Sequence, residues 1–270
     1  MTRRPLPTLV AALVLTATAS LTAGGASSAA VADTPTRAPE EIVALRDIDP
    51  TIVHEIRYTT NHNFVGERID AYRAPLCLLT RPAAEALARA QDELRPQGLT
   101  LKVYDCYRPQ SAVNHFVRWA EDLDDEQMKA EFYPRVAKSR LFADGYIAAK
   151  SGHSRASTVD LTIQPLDGRR VPAPHSPKPA GSCFGPVEER VPDASLDMGT
   201  AYDCFDVLSH TANPAFTGEV RENRDLLVDV LAAEGFANYE NEWWHFTHKP
   251  ELFPDTFFDF PVSRASLTSD

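Results

Sequence analysis

Two periodicities run along the chain and outline its elements. Residues 52–58 alternate apolar and polar and include β-branched types, which predicts a strand. Thr80, Arg81 and Pro82 open an Ala-rich stretch to about Leu94; a hydroxyl cap and an early proline suit a first helical turn, and Pro96 and Gly98 end it. Leu99, Leu101 and Val103 then share one face of a strand, with Thr100, Lys102 and Tyr104 on the other. Pro109 opens a helix to about Glu121, and a third is expected over 124–132. Residues 145–155 read as loop. In 157–163, Val159, Leu161 and Ile163 face one way and Thr158, Asp160 and Thr162 the other, as in a strand. Residues 222–234 carry Leu226, Leu227, Val230 and Leu231 on one helical face, and Gly235 stands where a left-handed residue closes a helix. Two short aromatic strands, 236–239 and 243–247, follow.

Helices and strands mix without a regular βαβ alternation, so the expected class is α+β. Nothing marks a linker after residue 41, which predicts one domain over 42–270 behind a flexible polar lead at 33–41. Residues 164–195, rich in proline and glycine and without periodicity, read as a long surface insertion pinned by Cys183.

The first 32 residues have the layout of a secretory signal. Arg3 and Arg4 give a basic start, 9–15 an apolar run, and Ala30-Val31-Ala32 a small-residue cleavage site. The run is too short to span a bilayer, so the expectation is a secreted or cell-envelope protein with no stable membrane insertion once the signal is removed. Export makes the four cysteines interpretable as two disulfides. Three pairings of Cys77, Cys106, Cys183 and Cys204 exist, and joining sequence neighbours, 77 with 106 and 183 with 204, is the expected one.

Composition narrows the partners. The chain has 270 residues and a formal net charge of −11, with 43% hydrophobic and 24% charged residues. That is ordinary globular composition, and the acidic balance argues against nucleic acid as partner, because phosphate binding needs clustered Lys and Arg.

Three short motifs carry chemistry. In Ser151-Gly152-His153-Ser154-Arg155-Ala156-Ser157-Thr158-Val159-Asp160, a loop histidine precedes by seven residues an aspartate on the polar face of a strand. Imidazole and carboxylate both ligate Zn²⁺, at about 2.0–2.2 Å. The spacing alone leaves open a hydrogen-bonded Asp beside an unrelated loop His. In Glu242-Trp243-Trp244-His245, the histidine is a candidate third ligand and the glutamate a candidate base for a water in the fourth position. Residues three apart on a regular strand point to opposite faces, so Glu242 must lie at a strand end or bulge if the two are to converge. In Asp105-Cys106-Tyr107-Arg108-Pro109, Arg108 follows a strand and precedes a helix, a junction from which a guanidinium can stabilise an oxyanion; a surface Arg paired with an acid is the other reading.

Taken together, these motifs resemble the D-alanyl-D-alanine dipeptidases, zinc peptidases of the M15 family related to the zinc D-Ala-D-Ala carboxypeptidases and to the Hedgehog amino-terminal domain. The resemblance extends to Asp197-Met198-Gly199-Thr200-Ala201-Tyr202-Asp203 and to Phe257-Phe258-Asp259-Phe260-Pro261. It implies a single domain with a central, mostly antiparallel sheet and flanking helices. It implies one Zn²⁺ per chain on His153, Asp160 and His245, with Glu242 as catalytic base and Arg108 as transition-state stabiliser. Asp203 matches the acid that holds the substrate ammonium, and Tyr58, Tyr72 and Ser151 match substrate-pocket positions. The implied partner is a small D-amino-acid dipeptide. An export signal, two disulfides and a long insertion set this chain apart from the cytoplasmic resistance enzymes of the family, and the export signal points to cell-wall peptide turnover. Two rivals stand beside this reading: a zinc D,D- or L,D-carboxypeptidase trimming peptidoglycan stem peptides, and a non-catalytic zinc-dependent wall-binding module. A binding module needs neither Glu242 nor Arg108.

Overall fold

The alternating segment around Asp160 forms the middle strand of the molecule. A computed structural model describes Met1, residues 37–167 and residues 180–268. The expected signal at 1–32, the start of the lead at 33–36 and part of the insertion, 168–179, lie outside the described residues, Met1 apart.

In chain order the elements are β1 (Ile42–Ala44), α1 (Leu45–Ile48), β2 (Val53–His54), β3 (Leu78–Thr80), α2 (Arg81–Leu94), β4 (Leu99–Asp105), α3 (Gln110–Glu121), α4 (Lys129–Phe132), β5 (Thr158–Pro165), α5 (Glu219–Ala233), β6 (Phe236–Asn238) and β7 (His245–His248). Five strands make a sheet in the order β2-β4-β5-β7-β6. Only β2–β4 is parallel; the other three pairings are antiparallel. β1 and β3 form a separate antiparallel pair. This is the expected α+β architecture with a mostly antiparallel central sheet.

Both faces of β4 and β5 are covered, so their alternation separates two buried environments rather than core from solvent. Leu101, Val103, Leu161 and Ile163 join the apolar core with Ala83, Leu87 and Leu94 of α2 and Leu227 and Leu231 of α5. Lys102 and Tyr104, by contrast, reach Asp193 of the insertion, which covers them. A second, aromatic part of the core lies around α3, where Phe64 packs against Phe116, Trp119 and Phe205 with ring centroids 4.8–5.2 Å apart.

Several expectations are corrected in detail. The strand at 52–58 shortens to Val53–His54, because the chain turns into a 3₁₀ helix at Arg57–Thr59, where Arg57 pairs with Glu55 at 2.6 Å. Thr80 does not cap α2 with its hydroxyl, which meets Ser157 Oγ at 3.1 Å instead. The helix over 124–132 reduces to Lys129–Phe132, because the side chains of Asp122 and Asp125 accept bonds from the Asp124 and Gln127 amides and hold the chain in turns. The end of the lead is fixed: Ala38 is buried and donates to Ser266 O at 2.7 Å, and Arg81 donates to Glu41 O at 2.7 Å. Gly235 takes the left-handed conformation expected of it, φ +85°. Among the described residues, no helix is long and apolar enough to cross a membrane.

Candidate active site

The sheet register builds the site. Asp160 of β5 pairs directly with His245 of β7, so their side chains share a face. On the other side of β5 the register shifts between Val103 and Asp105, and this irregularity brings Asp105 opposite Asp160. Asp105, Asp160 and His245 thus form one row across three strands.

His153 enters from the loop before β5. Residues Gly152–Arg155 form a 3₁₀ turn capped by Ser151, whose Oγ accepts from the His153 amide at 3.2 Å. Gly152 is needed there, since a Cβ would come within 2.9 Å of Thr158 Oγ1. His153 Nδ1 lies 2.7 Å from the Cys106 carbonyl, which only accepts, so Nδ1 carries the proton and Nε2 keeps its lone pair for a ligand. That Nε2 is 3.2 Å from Asp160 Oδ1 and 3.3 Å from His245 Nδ1, and the latter two are 3.0 Å apart. A tetrahedral ion with bonds of about 2.0–2.1 Å has ligand–ligand edges of about 3.3 Å. Asp160 Oδ1 is also buried without a hydrogen bond. Donor set, spacing and orphaned oxygen all fit a divalent cation held by His153, Asp160 and His245.

Glu242 resolves the strand-parity difficulty by lying outside the strand. It sits in the turn between β6 and β7, with its amide on Tyr239 O at 3.0 Å and its carbonyl accepting from His245 N at 3.3 Å. Its Oε2 is 3.4 Å from His245 Nδ1. Burial pushes the Glu242 carboxyl up to about 7; His245 opposes this, and the charge on Asp160 adds to it. Trp243 and Trp244 are both buried, and Trp243 Nε1 donates to Thr200 Oγ1 at 2.8 Å.

Arg108 leaves β4 beside this group. Its Nε is 2.9 Å from Asp105 Oδ2, its Nη2 is 3.6 Å from Asp160 Oδ2, and the guanidinium lies over the rings of Tyr58 and Phe116. Asp203 is buried at a left-handed φ of +58° and accepts from Tyr58 Oη at 2.9 Å. Burial, reinforced by the charge on Asp160, pushes its carboxyl well above the usual range. A cationic ligand would offset that cost.

His153, Asp160, His245, Glu242, Arg108, Asp203, Tyr58 and Ser151 all line one cavity of about 240 Å³. Tyr72 does not. Its hydroxyl points to Asp105 Oδ1 at 2.6 Å, so it buttresses the Arg108 anchor from behind, a correction to its expected place in the substrate pocket. Disulfides join Cys77 to Cys106 and Cys183 to Cys204. Each ends next to a site residue, Asp105 in the first case and Asp203 in the second.

Sequence reasoning gave no role to Asp105, although its i, i+3 spacing from Arg108 was visible in the motif. It also passed over Tyr202, whose Oη lies 3.0 Å from Asp160 Oδ2. Burial, with the charges on Asp160 and Asp203, pushes that phenol well above its usual pKa. Phe116 and Tyr239, which also line the cavity, had no motif signal, and Trp244 stood inside the Glu242–His245 motif without a role of its own.

A family model described as D-Ala-D-Ala dipeptidase, in peptidase family M15, matches residues 38–171 and 190–263. The gap between the two stretches falls inside the insertion. The chain is 37% identical over 209 residues to the D-alanyl-D-alanine dipeptidase of Streptomyces coelicolor, covering 77% of this chain and 92% of the relative. It is 34% identical over 216 residues to the D-alanyl-D-alanine dipeptidase of Enterococcus faecium, covering 78% and 95%. With the enzyme of that name from Escherichia coli K12 it shares 28% over 206 residues, covering 76% and 83%.

Proposed function

The chain belongs to the D-Ala-D-Ala dipeptidase family of M15 peptidases, and we propose that it hydrolyses the D-alanyl-D-alanine dipeptide to two D-alanines, outside the cytoplasm, in the turnover of cell-wall peptides. His153, Asp160 and His245 would hold one zinc ion, which supplies Lewis acidity to polarise the scissile carbonyl and acidify a water.

The chain's own residues do the rest. Glu242 takes a proton from the attacking water, a task for which its place beside His245 suits it. It then returns the proton to the leaving amine as the C–N bond breaks, which closes the proton balance. Arg108, fixed by Asp105 and the two aromatic faces, presents its charge to the oxygen that becomes negative as water adds to the carbonyl. Asp203, with Tyr58 donating to it, receives the free α-ammonium. A longer peptide carries an amide there and leaves a buried carboxyl unmatched. The cavity, at about 240 Å³, is smaller than the roughly 300–1,000 Å³ of ordinary ligand sites and suits a dipeptide better than a wall stem.

The observation that carries this reading is the convergence of three donor atoms within 3.0–3.3 Å of one another beside Glu242. Export rests on the sequence of residues 1–32. The test is metal analysis of the purified mature protein together with amine release from free D-Ala-D-Ala, its N-acetyl derivative and a stem pentapeptide. Stoichiometric zinc and cleavage of the free dipeptide alone are expected. Preferred cleavage of the pentapeptide would replace this reading with a carboxypeptidase, and a zinc-loaded protein without turnover would leave a binding module.

A further inference from the structure

Two tyrosines stand back to back between Asp160 and Asp203. Tyr202 Oη is 3.0 Å from Asp160 Oδ2 and 3.3 Å from Tyr58 Oη, and Tyr58 Oη is 2.9 Å from Asp203 Oδ2. Each phenol has one proton. A carboxylate is the stronger acceptor and in each case the nearer one. The Tyr202 proton therefore goes to Asp160 and the Tyr58 proton to Asp203, leaving the two phenol oxygens facing each other.

We propose that Tyr202 is a positioning residue for the metal centre: its hydroxyl fixes Asp160 Oδ2 so that Oδ1 is the oxygen turned toward His153 and His245. This rests on the zinc reading given above. Asp160 has few other means of orientation. Its Oδ1 has no hydrogen bond, and the other group near Oδ2, Arg108 Nη2, is 3.6 Å away, beyond hydrogen-bond range. Removing the phenol would leave a buried carboxylate oxygen unmatched and free to rotate.

Tyr202 is itself held on its far side. Its ring stacks on Tyr104 with centroids 4.4 Å apart and planes at 14°, and it meets Trp244 edge-on at 5.5 Å. The Tyr104 hydroxyl in turn donates to Asp193 Oδ2, and Asp193 pairs with Lys102 and Arg57. A residue of the insertion thus reaches the ligand carboxylate through two stacked rings. This gives that segment a structural task at the centre without touching substrate.

The pair of phenols supplies the test. Tyr202→Phe keeps the stacked ring and removes only the hydroxyl; Tyr58→Phe does the same on the Asp203 side. Zinc affinity is read by competition with a chromophoric chelator, and KM with the zinc-saturated enzymes. Tyr202→Phe is expected to weaken zinc binding by about 10- to 100-fold, the usual effect of losing a partner of a metal ligand, with KM for the dipeptide little changed. Tyr58→Phe is expected to raise KM and leave zinc affinity within about twofold. Zinc affinity of Tyr202→Phe within twofold of the parent, in a parent that binds zinc, overturns the inference alone. A parent that takes up no zinc overturns both the inference and the function it rests on. Thermal unfolding of the zinc-free Tyr202→Phe protein should match the zinc-free parent; an affinity loss seen only together with a collapsed transition would also count against the inference.

Discussion

Asp105 and Arg108 form a 2.9 Å ion pair across the end of β4, with the aspartate fully buried and the guanidinium reaching the cavity. Asp105 is held from behind by Tyr72, so the arginine is aimed by a fixed anchor rather than by solvent. Arg108→Lys should lower kcat by about 10²- to 10³-fold, because an ammonium loses both the fork geometry and the stacking on Tyr58 and Phe116. Asp105→Asn should give a smaller loss in the same direction. Steady-state kinetics with zinc content measured in parallel checks this, and zinc should stay stoichiometric in Arg108→Lys.

The base and the ligands separate by mutation. Glu242→Gln should retain zinc and lose about 10²- to 10⁴-fold in turnover. His153→Ala should lose the metal itself. Elemental analysis beside the amine-release assay distinguishes the two, and near-normal rates in Glu242→Gln would remove the glutamate from its role.

The Cys77–Cys106 disulfide ties β3 to the segment whose carbonyl orients His153. Replacing both cysteines by alanine should cost about 3.6 kcal/mol of stability, the scale for a separation of 29 residues. It should also weaken zinc binding, because the Cys106 carbonyl loses its tether. The corresponding Cys183→Ala/Cys204→Ala protein should keep its zinc affinity and instead raise KM, since that disulfide adjoins Asp203. Chelator competition and dipeptide kinetics on the two double variants read out the contrast.

Acid should weaken the anchor that Asp193 gives the insertion. Burial opposes ionisation of Asp193, but Lys102 and Arg57, with the hydroxyls of Ser195 and Tyr104, outweigh it and hold the carboxyl down at about 2. Its value in the unfolded chain is about 3.9. The folded value is the lower one, so the stabilisation is present above about pH 4 and disappears as pH falls through 2. The difference corresponds to about 3 kcal/mol. Thermal unfolding of the parent should lose that increment between pH 5 and pH 2 relative to Asp193→Asn; parallel curves for the two proteins would contradict it.

The motif residues were legible because each sits where local pattern and chemistry coincide. Asp160 interrupts an apolar alternation, and His153 stands in a glycine-containing loop next to it. The convergence of Glu242 and His245 was legible only as a condition, that Glu242 lie at a strand end or bulge; the strand expected from Trp243 begins only at His245, which leaves Glu242 in the preceding turn. The pair β1 and β3 escaped notice since three-residue strands are too short to show alternation. Tyr72 was misplaced because its partner, Asp105, is set by a register shift that no sequence pattern announces. Tyr202 went unread for a related reason: its phenol acts on a carboxylate 42 positions away.

Glu242 and His245 are separated by two buried indoles, Trp244 in the cavity wall and Trp243 held by Thr200, so the two side chains hang from a common hinge pin. The distance between them is therefore insulated from events at the rim. A substitution at the mouth that leaves the two tryptophans packed should therefore change which small peptide enters without changing the 3.4 Å between Glu242 and His245.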